Sequence, residues 1–283
     1  MKPFLLLFMV SIGIIQAQTD STIRPGVIPV NYPVINSTSS LSGEFVLTPS
    51  RAFIDKSFEE GKQSMFIFYQ NIMTEPDSME SKVKQISKEV QIPNSLIIPI
   101  PAGQTARKGD IVLTSWQSGS GMQRAMVVDD KNQDSPLVHY LDISWDNPAK
   151  NKEGVPIGQM TELLPQNTFV VLTQEWQAGR TVIYKDGNND KMGILIHSSG
   201  DQVLLLAWSY LVVVPREKCF PVIPLTEINK DDVVYIPLYG NYKQATVTRV
   251  DIEKGRVWVN VEFAGKQKEV VASVTDIVSK LPE

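Results

Sequence analysis

The chain has 283 residues, 42% hydrophobic and 20% charged, with 27 Lys/Arg against 31 Asp/Glu and a formal net charge of -4. These are globular values, far from those of a disordered chain, and the acidic balance excludes the basic footprint of a general nucleic-acid binder. A single Cys, Cys219, excludes an internal disulfide, and with only 2 His it is too little for a standard His/Cys zinc site.

Met1-Lys2, the apolar run Phe4 to Ile15 and the small residue Ala17 have the layout of an export signal over residues 1–17. The run is shorter than the ~20 residues a membrane helix needs, and no later segment reaches that length. The expectation is an exported protein, periplasmic or extracellular, with no membrane span. Residues 18–47 are rich in Pro, Ser, Thr and Asn and read as an extended leader.

Residues 48–102 read as a helical hairpin and connector. Thr48-Pro49 suits a helix start, and Ile54, Phe58, Gly61, Met65, Phe68 and Ile72 form a helical stripe. Met79, Val83, Ile86 and Val90 form a second one, with Asp77 and Glu80 at capping-box spacing. Asn94 to Pro101 is a strand-like connector. Self-association through residues 48–92 is one expectation for the hairpin, packing on the neighbouring β unit the other.

Strand signals dominate the rest. In 103–173, Ile111–Trp116, Gln123–Val128, Leu137–Ile143 and Thr168–Leu172 are strands, with a Pro/Gly-rich inserted loop at 146–165. In 174–226, strands fall at Thr181–Tyr184, Met192–His197, Gln202–Ala207 and Leu211–Val214. In 227–283 they fall at Val233–Ile236, Gln244–Val250 and Arg256–Phe263, with Gln267–Val271 pairing back. Ala125, Gly193 and Ala245 recur early in each second strand, where a small side chain lets strands cross closely. The fold class is mainly β: three tandem small barrels preceded by a short helical hairpin.

The units resemble Tudor-like and SH3-like small barrels. The third carries the likeness best, in Asp232-Val233-Val234, Tyr242 to Val247, Val261-Glu262-Phe263 with Gly265, and Val274 to Ile277. The first matches through Lys108-Gly109-Asp110, Ser115-Trp116, Arg124 to Val127 and Val138-His139-Tyr140. The resemblance implies an aromatic ligand face. In the first unit it falls on Trp116 and Tyr140, with Trp145 and Asn147 just beyond. The second unit offers Trp208 and Tyr210 beside Lys185 and Lys191, the third Tyr239, Tyr242 and Phe263 with Lys266.

No nucleophile elbow, phosphate loop or dinucleotide glycine pattern occurs. The functional expectation is therefore an exported non-catalytic binding or scaffold protein needing no cofactor or metal. Its ligand is an unknown protein, peptide or glycan, and the first unit's aromatics (Trp116, Tyr140, Trp145, Asn147) are the binding face. The alternative is an envelope hydrolase acting on glycan or peptide through Asp142 or Asp146 with His139. Cys219 reads as a small apolar filler.

Overall fold

The computed structural model describes residues 38–60, 65–143 and 158–283. The expected export signal, most of the leader, Trp145, Asp146 and Asn147 lie outside them. The described chain is mainly β, in antiparallel sheets.

One strand order recurs four times. The first sheet contains β1 (Phe45–Pro49), β2 (Phe68–Glu75), β3 (Glu80–Gln85), β4 (Lys88–Pro93) and β5 (Ile98–Ile100), ordered β4-β3-β2-β1-β5. The second contains β6 (Ile111–Ser115), β7 (Met122–Asp129), β8 (Leu137–Tyr140), β9 (Thr161–Leu163) and β10 (Phe169–Val171), ordered β10-β6-β7-β8-β9. The third unit has β11 (Thr181–Asp186), β12 (Asn189–Ser199), β13 (Gln202–Ala207), β14 (Tyr210–Pro215) and β15 (Cys219–Pro221), with β15 pairing back onto β11. The fourth has β16 (Val233–Leu238), β17 (Asn241–Asp251), β18 (Arg256–Phe263) and β19 (Lys266–Ser273), and Val278 bridges back to Tyr235 of β16. Pairing of Lys191 with Asn241 joins the last two units into one nine-stranded sheet.

A shared turn launches each unit. Gly43, Gly109, Gly179 and Asp231 have positive φ (88, 92, 95 and 72°), a conformation open to Gly and tolerated by Asp. Their amides donate to the carbonyls of Met73, Val127, Leu195 and Val247, whose own amides donate back to Glu44, Asp110, Arg180 and Asp232, all at 2.8–2.9 Å. A bulge follows each partner residue in the second strand, adding the local twist that curls a small sheet. The carboxylates of Glu44, Asp110 and Asp232 accept the amides of Leu41, Arg107 and Asn229, each at 2.7 Å. Three positions after these residues stand Val46, Val112, Val182 and Val234, all buried.

Two expectations are corrected. Residues 48–102 are a β unit of their own rather than a helical hairpin, so three units become four. Thr48-Pro49 ends β1, and α1 (Arg51–Glu60), the one α-helix among the described residues, lies between β1 and β2. Val83 and Val90 face each other across the β3–β4 hairpin, and Ile86 sits fully exposed at its tip with φ 56°. The spacing of Val83 and Val90 suits two helical turns, but it equally suits a pair across a two-residue turn. β-Branched residues favour the second. Nor do the barrels close: among the described residues no pairing joins the outer strands of a unit.

The units share cores. The first unit's cluster, with Leu47, Phe68 and Ile98, continues into Leu113, Leu172, Ile196 and Leu204 of the second and third. The fourth unit's cluster takes in Met126 and Leu141 of the second.

Candidate functional site

The second unit brings Trp116 and Tyr140 together, edge to face at 6.2 Å. Tyr140 is 0% exposed. Its hydroxyl donates to Glu162 (2.7 Å) and accepts the Gln117 amide (3.2 Å), and burial chiefly holds its phenol above the ordinary value. Trp116 is half-buried, and its indole N–H donates to the Gln159 carbonyl at 2.8 Å. Its ring lies so close to Gly119 and Gly158 that a side chain at either would overlap it. These two aromatics pack the end of the unit. Trp145 and Asn147 fall outside the described residues.

Below them lies a buried ion cluster. The Arg124 side chain, 2% exposed, enters from β7. It meets Asp142, Asp276 (2.8 and 3.2 Å) and the Thr181 hydroxyl, so three units supply its partners. Burial disfavours its charge, but the two carboxylates outweigh that and raise its pKa. Asp142 also accepts the Arg124 amide at 2.7 Å. Arg256, equally buried, donates to the carbonyls of Leu141 (3.1 Å) and Tyr140 (2.5 Å). Asp142 is thus held as half of an ion pair, whereas His139 contacts the Thr161 hydroxyl at 2.9 Å.

Above this cluster opens a cavity of about 950 Å³ between the second, third and fourth units, with Arg124, Asp142, Arg256 and Asp276 at its base. Trp208 and Tyr239 line it from two hairpin tips. Trp208-Ser209 joins β13 to β14 and Tyr239-Gly240 joins β16 to β17. All four residues have positive φ (53, 65, 49 and 78°), the pattern of tight hairpin turns that usually carry Asn-Gly. Bulky residues are uncommon there, and the strain costs ~1–2 kcal/mol each. Strand pairing on both sides nevertheless imposes the turn.

The two rings stack at 6.3 Å and 24°, and Phe263 follows 5.0 Å from Tyr239. Trp208, Tyr239 and Phe263 are 61, 54 and 45% exposed. The indole rests on Gly240, where a Cβ would come within 2.0 Å of its nitrogen. By contrast, Trp258 in the wall is 8% exposed and covered by the Arg249 guanidinium at 3.4 Å.

The sequence names all three exposed rings but divides them between two modules. Their meeting is a product of the shared sheet, which no local pattern records. A local sign does exist: Trp208 and Tyr239 each precede a small residue between alternating strands. Among the described residues no group of three or more His, Cys, Asp or Glu could hold a metal. No protein-family model matches the chain, and no curated protein matches it in sequence.

Proposed function

We propose that the chain is an exported, non-catalytic binding protein assembled from small SH3-like or Tudor-like β units. Its ligand face is the Trp208–Tyr239–Phe263 cluster, of which Trp208 and Tyr239 line the central cavity. The observation that carries this reading is that three large rings stand exposed and in contact, the two that line the cavity being stacked and held in strained backbone. Exposed apolar clusters of this kind mark interaction sites, and strain persists where a site uses it. A pocket of this volume is at the upper end of the ~300–1,000 Å³ of ordinary ligand sites. The repeated strand order supports the SH3-like or Tudor-like reading of the units. The arrangement of Asp142 supports a structural carboxylate rather than a catalytic one. No helix among the described residues is long and apolar enough to cross a membrane.

The test is to immobilise the protein and its Trp208→Ala/Tyr239→Ala variant and pass an envelope extract of the source organism over both. Material held by the parent and lost by the variant is expected. Equal retention by both would remove this face from binding.

A further inference from the structure

The cavity has one wall of a distinct kind. Lys268, Glu269, Val270, Val271, Ala272 and Ser273, six consecutive residues of β19, all line it. Neighbours along a strand point to opposite faces, so a space bordered by every residue in turn meets the strand's edge rather than one face. β19 is the last strand of the nine-stranded sheet and, among the described residues, pairs with β18 alone. Its outward amides and carbonyls are a template for another strand.

We infer that this edge takes up an extended peptide of another protein, which adds a tenth strand to the sheet; the inference rests on the ligand face proposed above. Six residues of strand span about 20 Å at ~3.3 Å each, enough for a short segment to be held by main-chain hydrogen bonds, with side-chain pockets setting specificity. The aromatic cluster stands at the start of this edge. Phe263 ends β18, the Ala264-Gly265 turn leads into β19, and Tyr239 and Trp208 continue from Phe263. An apolar or aromatic side chain of the peptide rests against these rings.

Alternate residues of the peptide meet Val271, paired with Trp258, and its same-face neighbours Glu269 and Ser273, so one apolar side chain flanked by polar ones fits this wall. The ionisable lining is balanced, with Arg124, Arg256 and Lys268 against Asp142, Glu269 and Asp276. The base is neutralised by its own pairs. The partner is therefore a peptide without a strong charge of either sign. A glycan would also use the rings, but it makes no use of a strand edge.

The experiment selects a displayed library of random octapeptides on the protein, with depletion on Trp208→Ala/Tyr239→Ala. The best peptide is then remade with N-methyl groups on alternate amides, which keeps side chains and removes strand pairing. Expected are enriched peptides of low net charge that carry an apolar or aromatic residue, slowed hydrogen exchange across 266–273 in the complex, and at least tenfold weaker binding after N-methylation in one of the two registers. No enrichment, or equal binding by both N-methylated forms, overturns the inference. Cellohexaose and chitohexaose form a parallel arm: Trp208-dependent binding of either, without peptide binding, removes the peptide while leaving the ligand face standing.

Discussion

The Arg124 guanidinium and the Asp276 carboxylate meet at 2.8 Å, although 152 positions separate them in the chain. Asp142 completes the cluster from the other side. Removing one partner of a buried ion pair leaves the rest uncompensated and costs ~3–5 kcal/mol. Arg124→Met should lose about that much in urea unfolding, and adding Asp142→Asn and Asp276→Asn should recover part of it. A single variant within ~1 kcal/mol of the parent would contradict a central role for the cluster.

His197 lies on β12, and burial lowers its pKa from 6.5 to about 4. The folded protein keeps the ring neutral where the unfolded chain would protonate it. This contribution is therefore complete above pH 6.5 and is lost as pH falls toward 4, at up to about 1.4 kcal/mol per unit. Thermal melts across that window should fall less steeply for His197→Leu than for the parent. Parallel curves would show that the ring is not responsible.

Cys219 is 4% exposed, and burial pushes its thiol up to about 12 despite the opposing Arg216. Neither access nor thiolate is provided in the native state. An aromatic disulfide reagent at pH 8 should label it only as fast as the third unit opens, and within seconds in denaturant. Rapid native labelling would be inconsistent with this packing.

Tyr242 is 6% exposed, and its hydroxyl has no hydrogen-bond partner among the described residues. Such a group forfeits its water for nothing in return, a loss of ~1–3 kcal/mol. Tyr242→Phe should leave stability unchanged or raise it by up to ~1 kcal/mol, read as an unchanged or higher Tm. A clear drop would mean that the hydroxyl is satisfied in solution.

Trp208 and Tyr239 occupy turn positions that suit Asn. Trp208→Asn should stabilise the chain by roughly 1 kcal/mol, by relieving left-handed strain, while weakening ligand capture. Opposite signs for stability and binding are the signature of a residue kept for recognition. A variant that loses both would instead make Trp208 a packing residue.

Much of the β content was legible, because alternation such as Val257, Val259 and Val261 admits little else. The first unit was the harder one. Its launch, Gly43-Glu44-Phe45-Val46, has the layout of Gly109-Asp110-Ile111-Val112 and of Asp231-Asp232-Val233-Val234. What hides it is Asn71, standing where the other units place Ala125, Gly193 and Ala245 against the buried Val. Hairpin spacing that imitates helical turns adds to the confusion. The aromatic face on Trp116 and Tyr140 reads plausibly because sequence carries ring identity without exposure. Only packing tells that Tyr140 turns inward and Trp208 outward. The Arg124 cluster is invisible for a related reason: its members come from three units, and nothing local marks Asp276 as the counter-ion of Arg124.

That same pairing orders events during synthesis. The second unit can form its strands as soon as its own residues emerge, but its central cation has no second carboxylate until Asp276 has been made. Until then Arg124 must stay hydrated, which keeps the shared centre of the units open. The middle of the molecule is therefore sealed only when the fourth unit arrives. Nascent chains halted before residue 276 should remain protease-sensitive around β7, however complete their first three sheets are.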